Sequence, residues 1–126
     1  LPVYQKKNYT MVEAKNFSAV IEGMRRVVNE PGGTGNAARL KDIIVCGKTG
    51  TVQNSQGEDH SVFIAFAPME NPKIALAIFV ENAGAGGTWA APIASLIIEK
   101  YLLSKISDID KEKRIIEATL SNFNKP

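Results

Sequence analysis

The residues best suited to chemistry are Gly47-Lys48-Thr49-Gly50-Thr51, which follow the apolar run Ile43-Ile44-Val45-Cys46. A lysine beside glycines and hydroxyl side chains suits an anion, either a nucleotide phosphate or a carboxylate. The phosphate pattern G-x-x-x-x-G-K-[ST] needs a glycine five positions before Gly47 and a helix straight after the triplet. Asp42 stands where that glycine should be, residues 43–46 favour an extended chain, and Gly50-Thr51-Val52-Gln53 starts no helix. Nucleotide binding is therefore set aside. The carboxylate reading takes Lys48 as a fixed cation on a strand, with Thr49 and Thr51 as hydroxyl donors. Alternation along a strand puts Lys48 and Thr49 on opposite faces. Lys48, Gly50 and the Thr51 backbone can then share one cleft, and twist or an edge position decides where each hydroxyl goes. Gly50 lets another chain approach the backbone closely. An exposed edge there can pair with an extended peptide, and an N–H just beyond the glycine can polarise a carbonyl under attack. On the triplet alone, a solvent-facing lysine at a strand end stays open.

Other candidates are weaker. His60 opens a strand after an acidic loop, which suits a strand-end or rim contact better than a catalytic base. Trp89 could sit at the rim of a site and stack on a substrate, or pack against the last helix. Cys46, the single cysteine, reads as a small buried hydrophobe. One His and one Cys give no metal-ligand spacing, so no metal and no cofactor is expected. Gly33-x-Gly35-x-x-Ala38 follows a helix and precedes a strand, the reverse of a dinucleotide fingerprint. In Gly84-x-Gly86-x-x the next position is Trp89 instead of Gly or Ala. Glu58 and Asp59 read as solvated loop charges, and Arg25, Arg26, Lys111, Lys113 and Arg114 as solvated helix faces.

These residues need a frame. Phe17, Val20, Ile21, Met24, Val27 and Val28 recur at steps of three and four, which predicts one buried stripe on a helix over 14–28. Asn29-Glu30-Pro31-Gly32-Gly33 ends it. Strands are predicted over 43–52, 61–67 and 73–81, joined by short connections that favour antiparallel neighbours. The second strand is apolar on both faces and so central. In the third, Ile74, Leu76, Ile78 and Val80 share one face; Ala75 and Ala77, opposite, suggest something packed closely there. Pro92 fits the first turn of a helix, and Ile93, Leu96, Ile97, Ile98, Tyr101 and Leu102 make that helix apolar around much of its circumference, which predicts deep burial. A last short helix over 108–120 would be capped by Asp110, with Ile115, Ile116 and Leu120 inward.

The 126 residues suit one domain or part of a larger one, and 44% apolar with 22% charged residues is globular composition. A net charge of +2 with scattered Lys and Arg sets nucleic-acid binding aside. The opening on Leu1 suggests a piece cut from a longer protein.

The wider stretch Val20–Asn54, with Glu22-Gly23-Met24, Gly33-Thr34-Gly35 and the Lys48-Thr49-Gly50-Thr51 strand, resembles the penicillin-binding transpeptidase family. The likeness continues through His60, Phe66-Ala67-Pro68, Glu81-Asn82 and Ala91-Pro92-Ile93. It covers about Phe17 to Leu103 and is closest to elongation-type class B enzymes, penicillin-binding protein 2, with a Bacteroidetes-like flavour. The resemblance implies an α+β fold: an antiparallel sheet with flanking helices, part of the fold shared with serine β-lactamases. It implies that residues 1–126 are the C-terminal segment of a transpeptidase domain, with 104–126 a terminal helix or tail. It also implies a periplasmic D,D-transpeptidase, anchored to the inner membrane by an upstream helix, that cross-links peptidoglycan stem peptides through a serine acyl-enzyme. Its partners would be the stem-peptide D-Ala-D-Ala terminus, β-lactams and the upstream half of the same domain.

By the same resemblance, Lys48, Thr49 and Thr51 would bind the substrate or β-lactam carboxylate, Gly50 would leave room, and the Thr51 N–H would form half an oxyanion hole. The family's nucleophile motif, Ser-x-x-Lys, does not occur in the sequence, and neither does Ser-x-Asn or Ser-x-Asp. The segment alone is thus expected to be inactive, and its bare sheet face to invite self-association. The rival reading is a non-catalytic module on the same fold that senses β-lactam or muropeptide or holds a partner. A β-lactamase is a further alternative.

Overall fold

Alternating apolar residues between glycine, asparagine and proline punctuation commit the middle of the chain to three strands. The computed structural model describes residues 9–118. In it β1 (Cys46–Val52), β2 (His60–Ala67) and β3 (Ile74–Val80) form one antiparallel sheet in the order β1-β2-β3. β2 is central, as expected. β1 begins at Cys46, not Ile43: Ile43 is buried and Ile44 is 48% exposed, in a loop held to the next turn by Met69 N donating to the Ile44 carbonyl.

The register assigns two faces. Thr49 pairs with Phe63 and Phe63 with Ile78, whereas Lys48 pairs with Ile64 and Ile64 with Ala77. Helices α1 (Ala14–Asn29) and α2 (Ala90–Leu103), with a 3₁₀ turn at Asn36–Ala38, cover the face that carries Phe63. Phe63 is fully buried and packs with Val28, Val45, Ala65, Ala94 and Ile98; burial of such a ring contributes about 2–3 kcal/mol. α1 ends where its breakers predict. Gly32 takes a positive φ of 79°, and Asn36 Nδ2 donates to the Val28 carbonyl at 2.9 Å, satisfying a helix-end acceptor.

The opposite face is buried at Cys46, where β1 starts, and open over much of the rest among the described residues. Ile64 is 47% and Phe79 54% exposed, and Ala75 and Ala77 are exposed too, so the expected close packing on those alanines is not found within these residues. The predicted α1 stripe also stops short: Phe17 and Val20 are exposed, and only the end at Val28 is buried. α2 is buried on one side; Ile97 and Tyr101 are exposed and line an apolar groove with Ile93, Ile106 and Ile116.

α3 spans Ile109–Ile116, and its cap is Asp108, whose Oδ1 accepts from Lys111 N at 2.9 Å, not Asp110. Leu120 and the tail beyond residue 118 lie outside the described residues, as do residues 1–8. Several of the charges read as solvated are engaged, Asp59, Arg26 and Lys113 among them. Arg25 binds Glu22 and Glu30 at 2.8 Å, Lys111 Nζ reaches Ser95 Oγ at 3.2 Å, and Arg114 lies over Trp89. The Arg25 hydrogen bond holds the Glu22 carboxyl below its ordinary range, and the same contact raises the Arg25 guanidinium.

Candidate functional site

β1 is an edge strand, so one side of its backbone is unpaired by sheet neighbours among the described residues. Lys48 is exposed there, on the open face, and its Nζ donates to the Thr49 carbonyl at 2.7 Å. In an antiparallel strand, alternate residues turn their backbone groups to the same side. The Thr51 N–H therefore points to the side that the Lys48 ammonium occupies. Cation and N–H donor thus share one edge.

Thr49 points to the helix-covered face, as alternation requires, but lies half-exposed at the edge. Its hydroxyl shares a 2.8 Å hydrogen bond with the Thr34 hydroxyl. Thr34 stands in the Gly33-Thr34-Gly35 signature, where the sequence signal is a hydroxyl in a glycine turn, with nothing to say that the turn folds back onto β1. Gly50 has only Val62 near the place of a Cβ, at 3.3 Å, and is otherwise open. Gly47 has a different reason: a Cβ there would overlap the Phe63 ring. The glycine before Lys48 thus serves the core and not a bound phosphate.

The loop 83–89 braces β1 from the Phe63 side. A Cβ at Gly86 would overlap the carbonyl oxygens of Val62 and Gly50, and one at Gly87 would overlap the Thr34 carbonyl. Ser61 ties the loop down: its Oγ donates to the Ala85 carbonyl at 3.0 Å and accepts from Ala90 N at 3.1 Å. These contacts are far apart in sequence and carried no local signal.

His60 pairs with Val52, four residues along from Lys48, and is not brought to the lysine. Its Nδ1 accepts from Asn82 N at 3.0 Å, which leaves the ring proton on Nε2, and its ring lies 5.2 Å from that of Phe79. Trp89 is half-buried under Arg114, against the last helix. Cys46 is fully buried, and burial pushes its thiol up, away from the reactive thiolate. Ser95 and Lys111 make a Ser–Lys contact, but Ser95 is fully buried and donates to the Pro92 carbonyl at 2.8 Å, so it has neither access nor a free proton path. No group of three or more His, Cys, Asp or Glu among the described residues is placed to hold a metal, and no helix there is long and apolar enough to cross a membrane.

This arrangement can hold an anion against an extended edge, with a backbone donor for a polarised carbonyl. Comparison with known proteins gives the family. Residues 4–99 match the family model described as penicillin binding protein transpeptidase domain. The chain is 35% identical over 111 residues to the peptidoglycan D,D-transpeptidase MrdA of Haemophilus influenzae, covering 75% of this chain and 17% of that protein. It is 29% identical to the peptidoglycan D,D-transpeptidase PbpA of Mycobacterium tuberculosis, covering 78% of this chain and 21% of that protein. The chain thus spans about a fifth of the length of these curated relatives. Among solved structures it resembles PBP2 of Pseudomonas aeruginosa in complex with WCK 5153, at 34% identity and a TM-score of 0.68, covering 77% of this chain and 21% of that one. It also resembles the imipenem acyl-enzyme complex of penicillin-binding protein A of M. tuberculosis, at 31% identity and a TM-score of 0.64 over the same shares.

Proposed function

The chain belongs to the penicillin-binding protein transpeptidase family, and from that premise we propose that it supplies the substrate-binding wall of a peptidoglycan D,D-transpeptidase of the elongation-type class B group. Lys48, Thr49 and Thr51 hold the terminal carboxylate of a D-Ala-D-Ala stem peptide, or that of a β-lactam. Gly50 leaves room for the ligand backbone beside β1. The Thr51 N–H polarises the carbonyl under attack, and the serine nucleophile and its base come from upstream sequence. The observation that carries this reading is the shared edge: Lys48 Nζ lies at the Thr49 carbonyl, on the side to which the Thr51 N–H turns. A preorganised donor aimed at developing negative charge is usually the largest single source of rate in acyl transfer, and the cation fixes the ligand against it. The parent enzyme would work at the periplasmic face of the bacterial inner membrane.

The division of labour has a direct test. Intact mass is measured after incubation with a fluorescent penicillin, for this chain alone and mixed with the upstream half of the same domain. The expected result is no adduct on this chain and an adduct on the upstream half that appears on mixing. An adduct on this chain alone would mean that it carries its own nucleophile. No adduct in a folded, associated mixture would favour the non-catalytic sensing or partner-binding module.

The open sheet face bears on the isolated chain. Ile64, Phe79 and Val52 expose apolar surface on that face, and β3 is an edge strand among the described residues. Such a face and edge invite pairing with a second copy. Sedimentation of the isolated chain should therefore give dimers or larger species that dissociate when the upstream half is added. A concentration-independent monomer would contradict this.

A further inference from the structure

α3 lies beyond residues 4–99, which match the family model, yet its side chains reach the loop that braces the Lys48 strand. The Arg114 guanidinium sits 4.9 Å from the Trp89 ring centroid, and its Nη2 donates to the Thr88 carbonyl at 3.2 Å. A planar guanidinium can lie on a ring and donate in its own plane at once, which an ammonium cannot reproduce. Thr88 and Trp89 close the 83–89 loop. The first half of that loop is pinned by Ala83 N and Gly84 N, which donate to the Asp59 carbonyl at 2.9 and 2.7 Å. The second half leads into α2, whose N-cap, Trp89, makes no side-chain cap bond. Between these ends, Gly86 lies on the Gly50 backbone and Gly87 on the Thr34 carbonyl. Arg114 does not float: Lys111 Nζ binds Ser95 Oγ at 3.2 Å and Ser107 N donates to Glu99 Oε2 at 3.0 Å, which fasten α3 and its approach to α2.

We propose that Arg114 is a positioning residue. By clamping Thr88 and Trp89 it holds the 83–89 loop against Gly50 and Thr34, and so fixes the backbone along which a stem peptide or penicillin lies. It touches no ligand; it acts through two glycines whose missing side chains let the loop lie directly on the strand. The inference rests on the reading of Lys48-Thr49-Gly50-Thr51 as the ligand wall.

The test uses the complete transpeptidase, as wild type and as Arg114→Ala, Arg114→Lys and Lys48→Ala. Acylation by a fluorescent penicillin is followed in stopped flow, and the rate constant is read separately from the labelled fraction. Arg114→Ala is expected to acylate roughly three- to tenfold more slowly, the scale of a lost cation–ring contact amplified by a small misplacement. Its labelled fraction stays at the wild-type value. Arg114→Lys, which keeps the cation but not the fork, recovers part of the rate. A role in folding alone would lower the labelled fraction and leave the rate constant unchanged, and that result overturns the proposal, as does a wild-type rate in Arg114→Ala. A wild-type rate in Lys48→Ala overturns the ligand-wall reading itself, and the clamp with it.

Discussion

Lys48→Ala in the complete domain should slow penicillin acylation by about two to three orders of magnitude and leave its melting temperature nearly unchanged. Lys48 is exposed, and its one hydrogen bond among the described residues is to the carbonyl of its own neighbour, Thr49. Removing such a side chain from the free protein changes stability within about 0.5 kcal/mol. In the complex the ammonium would face a carboxylate in a closed cleft. Truncating one member of a desolvated charge pair costs about 2–5 kcal/mol, and each 1.4 kcal/mol is about tenfold. Stopped-flow acylation together with a thermal melt separates the two effects. A large fall in melting temperature would mean that Lys48 is structural.

Gly86→Ala should harm both stability and rate. The new methyl would overlap two backbone oxygens, those of Val62 and Gly50, which have no rotamer to escape into. Either the loop lifts or β1 retreats. Forcing a methyl into packed structure costs about 1–3 kcal/mol, and a displacement near 1 Å at a reacting site can cost about 100-fold in rate. Gly23→Ala is the matched control. Nothing lies within 4 Å of a Cβ there, and alanine in a helix is favoured over glycine by about 1 kcal/mol. Urea unfolding and acylation of both variants should therefore move in opposite directions for stability and differ sharply in rate.

The strands were legible because each carries its own punctuation: Asn54–Asp59 before β2 and Pro68–Pro72 before β3. Lys48 stands out as a candidate because a cation between glycines on a strand has few uses, and the resemblance narrows them. The opposite facing of Lys48 and Thr49 followed from alternation and is borne out by their partners, Ile64 and Phe63. What escaped was non-local. Thr34 meets Thr49 across 15 positions, and Gly86 meets Gly50 through a loop that no periodicity describes. The sequence points to Asp110 as the α3 cap, two residues late, because both aspartates suit a cap and only the backbone geometry picks Asp108. Arg114 and Lys111 were read as solvated, since a charged helix face looks alike whether it meets water or a neighbouring loop. Phe17, Val20 and Ala77 were read as covered because apolar periodicity tells which side a residue faces and not whether anything stands opposite.

The most direct test of the central claim is a crystal structure of the complete domain acylated by a penicillin. The ligand carboxylate should lie within hydrogen-bond reach of the Thr49 or Thr51 hydroxyl and close to Lys48 Nζ, with the acyl carbonyl oxygen on the Thr51 N–H. A ligand whose carboxylate is held elsewhere, with the Lys48 edge of β1 unoccupied, would contradict the account.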